Sequence, residues 1–285
     1  MLAQRVVTAV VMLAVLLGAL LAPQPWILVA LLVVVAASAL WEWLRLTWPA
    51  PSSMPLVCAL IVAAVFSVLA RQWLAAAPQA WFALLLSLAM RWLLPAVAAV
   101  WVLGGVGLVV QGRSSARSGS VCLGVFGIAA VAAAWLALVQ LFLRHGAWFL
   151  VSLLALVWFA DIAAYFSGKA FGRRKLAPRV SPGKTWEGAA GGVLAATVWI
   201  VASSFVQGSF GFALRQRWSW TGIIVIAIGL AALSIIGDLF ESLLKRRAGV
   251  KDSSGLLPGH GGVYDRIDAL LPVAPVAFLL IAGWQ

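Results

Sequence analysis

Charge is what this sequence has least of. Aspartate, glutamate, lysine and arginine make up 10% of its 285 residues, against 64% hydrophobic residues, and the mean hydropathy is +1.07. A water-soluble domain of that composition could not cover its core with polar surface, so lipid must replace water around most of the chain. Cysteine is nearly absent too. Cys58 and Cys122 each sit inside an apolar run, which excludes a disulfide framework and a cysteine-based metal site. Internal repeats, heptads and low-complexity tracts are missing, and no stretch between apolar runs is long enough for a soluble domain. We expect an all-α, polytopic integral membrane protein forming one domain over residues 1–285.

What the chain has in quantity is apolar runs of about 17 to 25 residues, enough to cross the hydrocarbon layer as helices. They fall near 6–22, 25–44, 55–76, 119–143, 147–166, 188–207, 219–237 and 269–284. A longer run, 80–110, carries Arg91 and Pro95 and reads as one tilted, kinked helix or two short ones. With that run as a single span the expectation is about nine transmembrane helices. The amino terminus has the cation and apolar stretch of a secretory signal. Pro23 after Ala22 spoils the cleavage site, so it reads as a retained first span.

The cations divide unevenly between the two faces this topology creates. Arg5, Arg45, Arg113, Arg117 and the basic residues of segments 167–187 and 238–268 fall on one side; Arg71, Arg144, Arg215 and Arg217 fall on the other. The rich side is expected to be cytoplasmic, in a bacterial inner membrane, with the carboxyl terminus outside. The two polar segments are separated by two spans and so emerge on the same face. Together they hold seven of the eight acids: Asp161, Glu187, Asp238, Glu241, Asp252, Asp265 and Asp268. The exception is Glu42, within "WEW", which either lines the site or, the preferred reading, is a carboxylate at the polar edge of an interfacial tryptophan belt.

The first polar segment, "DIAAYFSGKAFGRRKLAPRVSPGKTWEG", places Lys169, Arg173, Arg174, Lys175, Arg179 and Lys184 among Gly168, Gly172 and Gly183. Cations beside open backbone amides suit phosphate; a juxtamembrane basic patch against anionic headgroups is the plainer alternative. The ordered "SPGKTWEG" favours a built site, although the Walker A spacing is absent. In the second segment Asp238 ends an apolar span. If the helix continues, Asp238, Glu241, Ser242 and Lys245 share one face. A carboxylate at the hydrocarbon edge needs a partner, either a lysine or a divalent ion. Asp265 and Asp268 lie three residues apart, and with Asp238 they offer hard oxygen ligands with no paired histidine or cysteine nearby, which favours Mg²⁺ over zinc. The glycines of "PGHGG" would let backbone lie directly against a ligand. Carboxylates and cations at the membrane boundary are what phosphoryl or nucleotidyl transfer to an amphiphilic substrate requires.

The stretch "SLLKRRAGVKDSSGLLPGHGGVYDRID", Ser242 to Asp268, resembles the signature of the phosphatidate cytidylyltransferase (CDP-diacylglycerol synthase) family. The likeness extends to the 161–188 segment and to "WEW", and marks 161–285 as the catalytic region, with 1–160 mainly spans. The resemblance implies transfer of a cytidylyl group from CTP to phosphatidate with Mg²⁺, leaving open a second cation and a homodimer. It involves no nucleic acid. Asp238 and Asp265 take the place of metal-binding carboxylates, with Asp268 and Asp161 beside them. Asp265, Lys251 and Asp268 correspond to catalytic positions. Ser181, Lys184, Lys245, Arg246, His260, Gly261, Gly262 and Arg266 correspond to substrate-binding positions.

Rival readings are a polyprenol kinase, an ether-lipid cytidylyltransferase and a transporter. A transporter should carry its charges or broken helices at mid-membrane in corresponding halves, whereas here the acids gather on one side. A reporter fused after Gln285 should behave as non-cytoplasmic; a cytoplasmic signal would overturn the orientation.

Overall fold

The computed structural model describes residues 2–48, 52–112 and 120–282, and almost every element is helical. The helices are α1 (Leu2–Leu21), α2 (Pro25–Thr47), α3 (Met54–Leu74), α4 (Ala80–Leu88), α5 (Leu94–Ala99), α6 (Val106–Gln111), α7 (Val121–His145) and α8 (Ala147–Phe171). They continue with α9 (Trp186–Ser203), α10 (Phe210–Arg217), α11 (Trp220–Arg247), α12 (Tyr264–Ile267) and α13 (Leu270–Ala282). The run from α4 to α6 is unbroken: two π-helical segments, Ala89–Leu93 and Val100–Gly105, join its parts into one span. Pro95 enters it just after the first wide turn, where the looser i→i+5 pattern absorbs its missing N–H.

Among the described residues eight helices are long and apolar enough to cross a membrane. The ninth expected span, α13, begins within one residue of its apolar run and falls outside those eight. α13 has 13 residues, about 20 Å at 1.5 Å per residue, against a hydrocarbon thickness of about 30 Å. Its flank at residues 283–285 lies outside the described part. Elsewhere the expected spans hold, and α11 continues past Asp238 to Arg247 as one helix of 28 residues.

Contacts at the ends of the spans place Arg5, Arg144, Arg215 and Arg217, with Arg113 and Arg117 outside the described residues. Thr8 donates to the Pro258 carbonyl at 2.8 Å, which places the start of α1 and Arg5 at the end holding the second polar segment. At the opposite end Arg217 donates to the Ile281 carbonyl, Arg144 lies over Phe278, and Arg215 lies between Phe205 and Trp220.

Two packing features position the polar end. Gly188, Gly191 and Gly192 of α9 lie directly on Ala160, Ala163, Ala164 and Ser167 of α8, leaving no room for a side chain. Between these helices residues 175–185 fold into a two-stranded antiparallel hairpin, β1 (Lys175–Ala177) and β2 (Ser181–Thr185), an element the all-helical expectation did not contain. Glu187 accepts from the Arg173 and Arg174 amides, and Thr185 caps α9 by accepting from the Gly188 amide, so the hairpin is tied to α9 at its base.

Beneath the polar end sits an aromatic plug of Trp43, Trp101, Phe126, Phe240 and Tyr264, with ring centroids 5.1 to 6.3 Å apart in edge or tilted contacts. Trp43 donates to the Leu123 carbonyl at 2.9 Å, binding α2 to α7. A side chain at Gly127 would collide with the Trp43 indole. Gly127→Ala should lower stability by about 1 to 3 kcal/mol through overpacking, despite the gain in helix propensity, as read from thermal unfolding in detergent. An unchanged melting temperature would show that the plug is loosely packed.

Candidate active site

α11, α12, the 251–263 loop and β2 converge on one cluster of acids and cations. The missing side chain at Gly237 lets α11 lie against the backbone of Asp268 and Ala269 and against Pro272. That contact brings Asp238 beside Asp268. Asp238, Glu241 and Asp268 then each present an oxygen within 4.8 Å of the others. Two ammonium groups reach this trio: Lys184 from β2 forms an ion pair with Asp238, and Lys245, one turn after Glu241, meets it at 2.6 Å. Burial and the neighbouring Asp238 carboxylate push the Asp268 carboxyl well above its ordinary range. Asp161, on α8, lies within electrostatic range of Asp238, Lys184 and Arg266.

The donor chemistry fits a hard divalent cation. Three carboxylates crowded at the end of a span repel one another, and lysines already partly offset that repulsion.

Asp265 does not join the trio as the sequence led us to expect. Its Oδ1 accepts from Lys245 at 2.7 Å, and its Oδ2 accepts from the Ser253 amide at 3.0 Å and the Gly262 amide at 2.7 Å, with the Ser253 hydroxyl 2.9 Å away. Burial works against its ionisation, yet contacts with Glu241 and Lys245, the Gly262 N–H and the Lys245 charge hold its carboxyl well below the usual carboxylate range. The oxygens of Asp265 thus face the loop, Lys245 and Glu241. Glu241, which sequence reasoning placed on the right helix face but not among the ligands, stands in the trio instead.

On the side where a Cβ would stand, the "HGG" glycines face the protein's own side chains. Gly261, at φ +81°, lies so close to Asp265 Oδ2 that a Cβ would come within 2.6 Å of it, and the space beside Gly262 is filled by Glu42 and Ser253. His260 is half-buried, and its carbonyl accepts from Arg266 at 2.8 Å. Arg246 donates to the Val180 carbonyl at the hairpin turn. Ser181 is half-buried in β2, and Lys251 is exposed on the loop.

Glu42 overturns its reading as a headgroup-edge carboxylate: it is fully buried, at 0% exposure. Its Oε1 accepts from the Ser254 hydroxyl and the Val263 amide, and its Oε2 from the Ser253 hydroxyl and the Tyr264 amide. The signal available in sequence was its rarity: an acid inside an apolar span must be matched by donors somewhere in the chain.

The model of the family described as "Cytidylyltransferase family" matches residues 3–284. The chain belongs to that family. A phosphatidate cytidylyltransferase of Pseudomonas aeruginosa is 39% identical over 100% of this chain and 99% of its own length. One of Haemophilus influenzae is 52% identical over 46% of this chain, an alignment that spans 44% of that protein. An uncharacterized protein of Escherichia coli, YnbB, is 43% identical over 52% of this chain and 48% of its own length. As a member of the cytidylyltransferase family, the chain is an integral membrane protein whose acids and lysines meet at one end of its helices.

The two carboxylates should separate experimentally. Glu241→Gln is expected to weaken Mn²⁺ binding, followed by electron paramagnetic resonance, by about tenfold or more. Asp265→Asn should destabilise the fold on the order of 3 kcal/mol by removing one of the two carboxylates that share Lys245, seen as a lower melting temperature, and should weaken Mn²⁺ binding less than Glu241→Gln does, only through the release of Lys245 onto Glu241. The reverse pattern would return Asp265 to the metal site.

Proposed function

We propose that this chain transfers the cytidylyl group of CTP to phosphatidate, giving CDP-diacylglycerol and pyrophosphate, the activity for which its Pseudomonas and Haemophilus relatives are named. The observation that carries the reading is the meeting of Lys184 and Lys245 with Asp238, Glu241 and Asp268 where the spans end. Such a place is reached by a lipid headgroup from one side and by a water-soluble triphosphate from the other. Family membership and this geometry favour it over a polyprenol kinase, an ether-lipid cytidylyltransferase or a transporter.

Phosphatidate is a phosphate monoester with a second pKa of roughly 6, so its oxygen is already an anionic nucleophile near neutral pH and no protein base is required. That oxygen attacks the α-phosphorus of CTP, the bond from the α-phosphorus to its bridging oxygen breaks, and pyrophosphate leaves with the electron pair. The protein's task is to hold two polyanions together in line. Lys184 and Lys245 supply charge at the acids themselves, and Arg246 and Arg266, fixed through backbone carbonyls, supply it at the rim. Lys251, exposed on the loop, is the remaining cation assigned to a nucleotide or lipid phosphate. Mg²⁺ held by Asp238, Glu241 and Asp268 would offset charge on the triphosphate. The chain acts as one membrane domain, with 161–285 as the catalytic region. Its site faces the cytoplasm, a placement supported by the cation-rich end that carries it.

The decisive assay uses purified protein in detergent with phosphatidate, Mg²⁺ and each labelled nucleoside triphosphate in turn. A nucleotide-bearing lipid should form with CTP, and chelation of divalent ions should abolish it. Absence of any such lipid, or equal use of all nucleotides, would overturn the assignment.

A further inference from the structure

Glu42 does more than satisfy a buried charge. Its four donors all come from residues 253–264, a segment that begins 211 residues later in the chain. Among the described residues no lysine or arginine forms a salt bridge with it, so its contacts with that segment are hydrogen bonds from hydroxyls and amides.

The same segment is gripped from its other side. Ser253 and Gly262 both donate to Asp265 Oδ2, and the Ser253 hydroxyl lies 3.0 Å from Glu42 Oε2 and 2.9 Å from Asp265 Oδ2. A hydroxyl has one hydrogen to give, so Ser253 couples the two acids and cannot serve them independently. Asp265 Oδ1 in turn holds Lys245, whose ammonium is shared with Glu241 at 2.7 and 2.6 Å. A continuous line of contacts thus runs from α2 through Ser253, Asp265 and Lys245 to an acid of the metal-fitting trio.

We infer that Glu42 is a positioning residue for the proposed transfer: by fixing Ser253 it aims Asp265 at Lys245, and so divides the lysine's charge between Asp265 and Glu241. If Asp265 lost that aim, Lys245 would fall wholly on Glu241 and compete with a cation for it. The inference rests on the reading under "Proposed function" for its kinetic consequence, but its effect on cation binding stands apart from the reaction.

The test is Glu42→Gln, which presents an amide NH₂ to a pocket built of donors, with Glu42→Asp as the conservative partner. Mn²⁺ titration by electron paramagnetic resonance should show affinity lowered by about tenfold in Glu42→Gln. At saturating Mg²⁺, kcat should fall by about tenfold or more while KM for phosphatidate stays within about twofold. Glu42→Asp, which keeps the charge, should recover part of both losses. Mn²⁺ affinity and kcat within about twofold of the parent would overturn the proposal, as would a lower melting temperature with no other change. Should Glu42→Gln fail to fold, Ser253→Ala removes the coupling hydroxyl alone, and the same two losses decide. A parent protein that forms no nucleotide-bearing lipid would refute the reaction, and Mn²⁺ binding would still judge Glu42.

Discussion

Each of three acids at the polar end stands next in sequence to an aromatic ring of the buried plug. Glu42 precedes Trp43, Glu241 follows Phe240, and Asp265 follows Tyr264. The rest of the structure depends on this constraint. A ring fixed among other rings fixes the backbone beside it, and so the direction in which the neighbouring carboxylate points. Apolar packing, which is insensitive to the charge state of the site, thereby holds charged groups where lipid meets water. The acids do not have to find one another by attraction across a flexible loop. They arrive with the plug, and Lys245 then meets two of them, Glu241 and Asp265.

Much of this was legible in the sequence because it is written in local patterns. Apolar runs marked the spans, the two-span separation put both polar segments on one face, and three- and four-residue spacing placed Glu241 and Lys245 on the face of Asp238. What sequence missed lies in contacts between distant residues. Nothing local distinguishes Asp265, which serves the loop and Lys245, from Asp268, which faces Asp238; only the approach of α11 at Gly237 does so. Glu42 was misplaced for the same reason, since its partners are more than two hundred positions away. The hairpin at 175–185 escaped notice because cations, proline and glycine read as irregular loop until Glu187 and Thr185 pin its ends.

The glycines illustrate how one residue type answered two different needs. In α9 and at Gly237 they let helices touch, setting how close α8, α9 and α11 come. In the 259–262 turn they let backbone pass between Glu42 and Asp265, with Gly259 and Gly261 at positive φ. A glycine-rich motif beside cations invites a phosphate-binding interpretation. Here part of that motif is occupied by carboxylates of the protein's own making.

The long reach of Glu42 also bears on how the molecule is made. α2 leaves the ribosome long before the segment that supplies its four donors, so during synthesis the carboxylate has only headgroup water to solvate it. The hydrogen bonds that Glu42 accepts in the finished fold can therefore form only after residue 264 has been translated.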